Sequence, residues 1–343
     1  MDRLGFFKHS LGRVLETAQT MIGLKEAVNS FTEVVDEALS EIKSDMGLHL
    51  PTLDAQMYEN PDHTLQEVAK MGFTAVEVGS YFNGKVHYKK PADFRALADK
   101  LGLKITSAHL NHLYEAPEPK EDAIEGVTEE ATKETTEGTA KEAIGDVNEA
   151  VAEGTVTEDK AQTPDPNDEW WRDAIEVHKS LGCKYIAMQR LPEYADKKTA
   201  EEYARYFNRI GELALEQGLK FQYHPTQSAL QPDAEGVSLF DIIVGATDPA
   251  KVWFQIDTLE VVKSGIECNS LLEKHADRIL TLHLHDYGST CESGQIDFEK
   301  VVAKAVKLKI EELYIQVSNF SLPPMNCVER SINNVLTLPS VRY

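Results

Sequence analysis

The sequence predicts an α/β fold, a (β/α)8 TIM barrel, and three observations carry that expectation. Eight short apolar runs recur from Gly47 to the end of the chain. Amphipathic stretches of helical period separate most of them. Several of those stretches close on a glycine just before the next run, as helix C-termini commonly do. Strands alternating with helices build a parallel sheet, and eight repeats suit a closed barrel. An open, doubly wound sheet is the alternative, but no GxGxxG follows any of the runs to support it.

Residues 1–45 read as an N-terminal amphipathic helical extension, and residues 46–343 as the barrel domain. Leu11, Val14, Leu15, Ala18 and Ile22, then Phe31, Val34, Val35, Leu39 and Ile42, stand at helical spacing. Packing against the barrel is the expected use of these faces. The opening MDRLGFFK is loosely similar to a twin-arginine export pattern, but Leu4 stands where the second arginine belongs and no uninterrupted apolar region follows. Cytoplasmic residence is therefore expected, with a worn export signal as the alternative.

The strand runs are GLHL (47–50), AVEVGS (75–80), KITSAHL (104–110), KYIAM (184–188), KFQYH (220–224), VWFQID (252–257), ILTLHLH (279–285) and ELYIQVS (312–318). Between them lie HTLQEVAKMG, PADFRALADKLG, WWRDAIEVHKSLG and AEEYARYFNRIGELALEQG, all helical in period. Residues 115–169 break this rhythm. They hold 18 acidic residues against 4 lysines and almost no aromatic side chains before Trp170. Such a composition buries no core of its own. It reads as an acidic low-complexity insertion after the third strand, on the face where a barrel carries its chemistry.

Composition excludes several functions. The formal net charge is -22 and the pI is about 4.9, which disfavours nucleic acid and anionic membranes as partners. No apolar run reaches the ~18 residues of a membrane span. Cys183, Cys268, Cys291 and Cys327 are far apart and form no CxxC, so neither a zinc ribbon nor a disulfide scaffold is expected.

Strand parity then nominates a site. Residues of one parity share a face of a strand. His49 pairs in parity with Gly47, Glu77 with Gly79, His109 with Ser107, Gln189 with Ala187, His224 with Gln222, Asp257 with Gln255, His283 and His285 with Thr281, and Gln316 with Ser318. The opposite parity is greasier, as in Leu280, Leu282 and Leu284, and should face the helices. The polar parity should face the barrel axis. LHLHD at 282–286 thus ends a buried strand with its imidazoles at the mouth, beside Asp257, His224 and Gln316. A lone histidine is usually a hydrogen-bonded core residue; imidazoles converging on a carboxylate are what a divalent cation needs. A cation there polarises a sugar carbonyl and its neighbouring hydroxyl and stabilises an enediolate.

From Gly47 to about Leu338, the insertion apart, the chain resembles the xylose-isomerase-like sugar phosphate isomerase/epimerase superfamily. GLHLPTLDAQMYENPDHTLQEVAKMGFTAVEVGSYF, KITSAHL, KFQYHPT, FQIDTLEVVKSGIE, LHLHD and SGQIDFEKVVAKA carry the resemblance. It implies a metal held by Glu, Asp, His and Glu of the later strands. The Asp falls on Asp257, the His on His283, and the last Glu on Gln316, an amide. The fifth-strand pattern YHNH…EF reads YHPTQSAL here, so the fifth-strand ligand is left between His224 and Gln222. Lys263, in VVKSG, also matches the family, which implies a structural role or one at the substrate rim, where His49 and Gln189 are expected to bind substrate. Both proton-moving glutamates of the epimerases are replaced, which leaves Glu77, His109 and His285 as substitute acid–base groups.

The expected function is a divalent-metal-dependent isomerase or epimerase, or a related lyase, of a small sugar or keto-sugar, using Mn, Mg, Zn or Co. The alternative is a catalytically degenerate relative that binds carbohydrate or a protein partner. A DNA-repair endonuclease on the same barrel would need many more His and carboxylate ligands and a basic face. An oligomer is compatible with the sequence.

Overall fold

The computed structural model describes residues 46–115 and 165–341. The N-terminal extension and most of the acidic insertion lie outside the described residues. The barrel strands are β1 (Met46–His49), β2 (Ala75–Val78), β5 (Lys104–His109), β6 (Tyr185–Met188), β7 (Lys220–Tyr223), β8 (Val252–Asp257), β9 (Ile279–His285) and β10 (Glu312–Gln316). The short antiparallel hairpin β3 (Tyr81–Phe82) and β4 (Lys85–Val86) follows β2. Every neighbouring barrel pair is parallel, and β1 closes the barrel by pairing with both β2 and β10. The eight apolar runs are these eight strands.

The principal outer helices are α1 (Pro61–Lys70), α2 (Pro91–Leu101), α3 (Pro166–Leu181), α4 (Lys197–Glu216), α5 (Leu239–Ala246), α6 (Thr258–Lys263), α7 (Cys268–Lys274), α8 (Phe298–Lys307) and α9 (Pro324–Val335). The outward strand residues form the main core with these helices; Phe207 of α4, for example, stacks on Tyr223 of β7 at 4.8 Å. α2 and α3 end on Gly102 and Gly182 in the left-handed conformation that glycine adopts without strain. α3 begins at Pro166, with Asp165 accepting a hydrogen bond from the Asn167 amide. Residues 165–169 therefore belong to the barrel rather than to the insertion.

Tyr314 of β10 crosses the barrel floor, its hydroxyl 2.8 Å from the Thr106 hydroxyl and donating to Glu312 at 2.6 Å. A Cβ on Gly47 would lie 2.3 Å from its ring, so β1 must carry glycine there. Among the described residues no helix is long and apolar enough to cross a membrane. The four cysteines are free thiols.

Candidate active site at the barrel mouth

Above Tyr314 the inward parity supplies a polar interior. Glu77, Gln222, His224, Gln255, Thr281 and His283 are fully buried. A buried carboxylate must be paired or hydrogen-bonded, and Glu77 has four partners. Its Oε1 accepts from Ser107 Oγ and Gln255 Nε2, each at 2.8 Å. Its Oε2 lies 2.6 Å from His49 Nδ1 and 2.8 Å from His283 Nε2. Burial alone would raise the Glu77 carboxyl, but His283 and His49 outweigh it and hold the group well below the usual carboxylate range. Burial likewise opposes charge on His283, yet Glu77 raises that imidazole above its ordinary value.

Asp257 divides its two oxygens. Oδ1 caps α6, accepting from the amides of Leu259 at 2.8 Å and Glu260 at 3.0 Å. Oδ2 accepts from His285 Nδ1 at 2.8 Å. The far side of His285 meets Ser318 Oγ at 2.7 Å. Burial would raise Asp257, but His285, with His224 and His283 behind it, holds the carboxyl well below its usual range. His224 Nε2 lies 3.9 Å from the same Oδ2 and has no hydrogen-bond partner among the described residues. Burial pushes this imidazole down to about 4, so it is neutral at pH 7.

The sequence-nominated residues therefore converge in large part. His49, His109, His224 and His283 form one cluster of rings with centroids 4.8–5.9 Å apart. His109, at the end of β5, has a buried Nε2 with no partner among the described residues, and burial pushes it well below its ordinary pKa. Gln316 meets His283 Nδ1 at 2.6 Å through its Oε1. Two three-residue sets place metal-ligating atoms within 4.8 Å of one another: His49, Glu77, His283 and His224, Asp257, His283. Gln189 sits just past β6, where its backbone N–H donates to Asn111. Lys263 is not drawn into the cluster; it ends α6, with Nζ 3.9 Å from Glu260 and 5.9 Å from the Tyr287 ring centroid. Asp286, the carboxylate of LHLHD, serves the next loop, accepting from the amides of Tyr287, Glu292 and Ser293 and from the Ser293 hydroxyl.

Parity placed Ser107, Gln255, Thr281 and Ser318 inward without giving them a task. Each now has one. Thr281 Oγ1 donates to Gln222 Oε1 at 3.0 Å and accepts from Gln255 Nε2 at 3.0 Å. Ser318 completes a row with His285 and Asp257.

A closed parallel barrel with histidines and carboxylates at the C-terminal ends of its strands defines an enzyme-type barrel with a candidate cation site. The chain has the xylose isomerase-like TIM-barrel fold of sugar phosphate isomerase/epimerase structures. One such structure, from Parabacteroides distasonis, superposes with a TM-score of 0.68 at 21% identity, covering 87% of this chain and 99% of that one. An L-ribulose 3-epimerase superposes with a TM-score of 0.57 at 12% identity, over 85% and 93%. In sequence the chain is similar to an inosose dehydratase of Geobacillus kaustophilus, 22% identical over 71% of this chain and 69% of the relative. It is also similar to an inosose dehydratase of Bacillus licheniformis, 27% identical over 65% of this chain and 61% of the relative. No protein-family model matches the chain.

Proposed function

We propose that the barrel mouth is the active site of a divalent-cation-dependent enzyme acting on a small sugar or keto-sugar, as an isomerase, an epimerase or a lyase. The observation that carries this reading is His224 Nε2, buried, neutral and unpartnered among the described residues, 3.9 Å from an ionised Asp257 oxygen. A lone pair beside a carboxylate in a buried site fits a cation better than it fits a packing role. His224 and Asp257 would hold the ion, with Gln316 nearby; His283 would join them only by giving up the proton that its Nδ1 now donates to Gln316 Oε1 or that its Nε2 donates to Glu77. The ion would polarise the substrate carbonyl and stabilise an enediolate.

The protein's own groups divide the remaining work. His285 is locked by Asp257 on one side and Ser318 on the other, which leaves the Ser318 hydroxyl hydrogen-bonded to a positioned imidazole. His109 offers a neutral ring at the mouth. We assign proton transfer to His109 and to the His285–Ser318 pair, and we assign Glu77, with its four partners, to holding the interior in place. His49 and Gln189 line the approach. Dehydration and epimerisation share one first step, loss of a proton from carbon beside a carbonyl, so both groups of relatives support the same opening chemistry. The four free thiols support a reducing, cytoplasmic setting.

A second reading has its own observation. Gln316 stands where the family carries a glutamate and occupies His283 Nδ1 at 2.6 Å. This favours a non-catalytic barrel that binds carbohydrate. Turnover assays over a set of ketoses, keto-sugars and their phosphates, with and without added Mn2+, Mg2+, Zn2+ or Co2+, decide between them. Cation-dependent turnover lost in Asp257→Ala supports the enzyme. Sugar binding without turnover under every cation supports the binder.

A further inference from the structure

A histidine binds a cation only through a nitrogen that carries no proton, and the interior of this barrel fixes which nitrogen of His224 that is. We infer that Glu77 and Gln255 act as a relay that sets the His224 tautomer, making both of them positioning residues for the cation site. The inference rests on the cation reading for its consequence, while its geometry stands alone.

Donor and acceptor chemistry fixes the orientation of each group. A carboxylate only accepts, so Glu77 Oε1 at 2.8 Å can face only the NH2 end of the Gln255 amide. The second hydrogen of that NH2 goes to Thr281 Oγ1 at 3.0 Å, whose own proton is given to Gln222 Oε1. Both N–H bonds of Gln255 are thus used, and its amide has one orientation. The Gln255 carbonyl oxygen then lies 3.0 Å from His224 Nδ1. An amide oxygen cannot donate, so Nδ1 carries the proton. Nε2 is left with the lone pair, and it faces Asp257 Oδ2 at 3.9 Å. Glu77 reaches His224 without touching it, through one amide. Partners of this kind orient the ligands they touch and fix their tautomer.

Two measurements test the relay. The first uses the full chain, free of cation, with 15N-labelled histidine; His224→Gln assigns the His224 signals, and the ring nitrogen shifts report which nitrogen bears hydrogen. The relay predicts the Nδ1–H form in the native protein and loss of that preference in Gln255→Met, which keeps the bulk and removes both hydrogen-bonding ends. The second measures Mn2+ affinity by calorimetry. Gln255→Met should weaken binding by roughly 10–100-fold, as removal of outer-shell partners does. Thr106→Val, which removes a buried hydrogen bond at the barrel floor, should stay within about twofold. An Nε2–H form in the native protein overturns the relay, as does Gln255→Met binding Mn2+ like the native chain. Equal weakening by Thr106→Val also overturns it, because the effect would then be general loosening. A native protein that binds no Mn2+ but shows the Nδ1–H form retains the relay and defeats the cation reading instead.

Discussion

Glu77 and Gln255 lie 178 residues apart in sequence and meet across the barrel interior at 2.8 Å, carboxylate oxygen to amide nitrogen. That contact joins β2 to β8, and it ties the two halves of the polar interior together. Around Glu77 gather the Ser107 hydroxyl and two imidazoles; around Asp257 gather two more. The carboxylates divide the labour, one saturated by the protein, the other beside an unpartnered nitrogen.

The saturation of Glu77 has a cost when it is removed. Glu77→Ala leaves the donors of Ser107, Gln255, His49 and His283 facing one another in a buried space. Breaking a buried ionic network from one side destabilises by roughly 3–5 kcal/mol. Urea unfolding should show a loss of that size, read as a lowered midpoint multiplied by an unchanged slope. A loss below about 1 kcal/mol, the range of an exposed pair, would mean that Glu77 is not the interior hub.

Gly211 should resist the substitution that helix propensity favours. It lies inside α4, where alanine is better than glycine by about 1 kcal/mol. A Cβ there would come 2.2 Å from the Lys251 carbonyl oxygen and 2.9 Å from its carbon, both backbone atoms. Overpacking of this kind costs about 1–3 kcal/mol. Gly211→Ala should therefore lower Tm; a raised Tm would show that α4 has room to move off the β7–β8 connection.

Acid should begin to destabilise the fold above the ordinary carboxylate range. Burial pushes His87 and His178 down to about 4 from an ordinary 6.5. The unfolded chain takes up these protons first as pH falls. Stability is then complete above about pH 6.5 and is lost between about 6.5 and 4, by up to about 1.4 kcal/mol per pH unit for each imidazole. Denaturant midpoints at pH 7.5, 6.5, 5.5 and 4.5 check the slope. A flat profile across that window would contradict the burial of neutral imidazoles.

Ser318 should matter to turnover and little to the fold. It is half-buried two residues past the end of β10, and its hydroxyl meets His285 Nε2 at 2.7 Å. Ser318→Ala should lower kcat by about 100-fold, the lower end of the general acid–base range, with Tm changed by no more than a few degrees. Unchanged kcat would leave His285 as an orienting group for Asp257 alone.

Much of this was legible in the chain. The eight strands were visible because each is a short apolar run between helical periods, and a barrel buries both faces of its strands. Parity carried further than composition: it put His283, His224, Asp257 and Gln316 on one face, and they meet. Parity names a face, however, and not the partner across the axis. Nothing local in AVEV or VWFQID says that Glu77 reaches Gln255, since that contact is set by barrel closure. Lys263 matched a family pattern, but α6 turns its ammonium toward Glu260 and Tyr287. The end of the insertion was set too late because Asp165, Asp168 and Glu169 share its acidic composition. There those residues serve a helix start, where acidic side chains are favoured. Gly47 was noticed only as a parity marker, since its reason, the Tyr314 ring against β1, comes from the far end of the chain.

The most direct test of the central claim is the cation content of the protein purified without chelator, beside Asp257→Ala and His224→Ala. Near-stoichiometric divalent metal is expected in the native chain, lost from both variants while their folds persist by circular dichroism. A native protein that holds no metal, and shows no thermal shift with excess Mn2+, Mg2+, Zn2+ or Co2+, would contradict it.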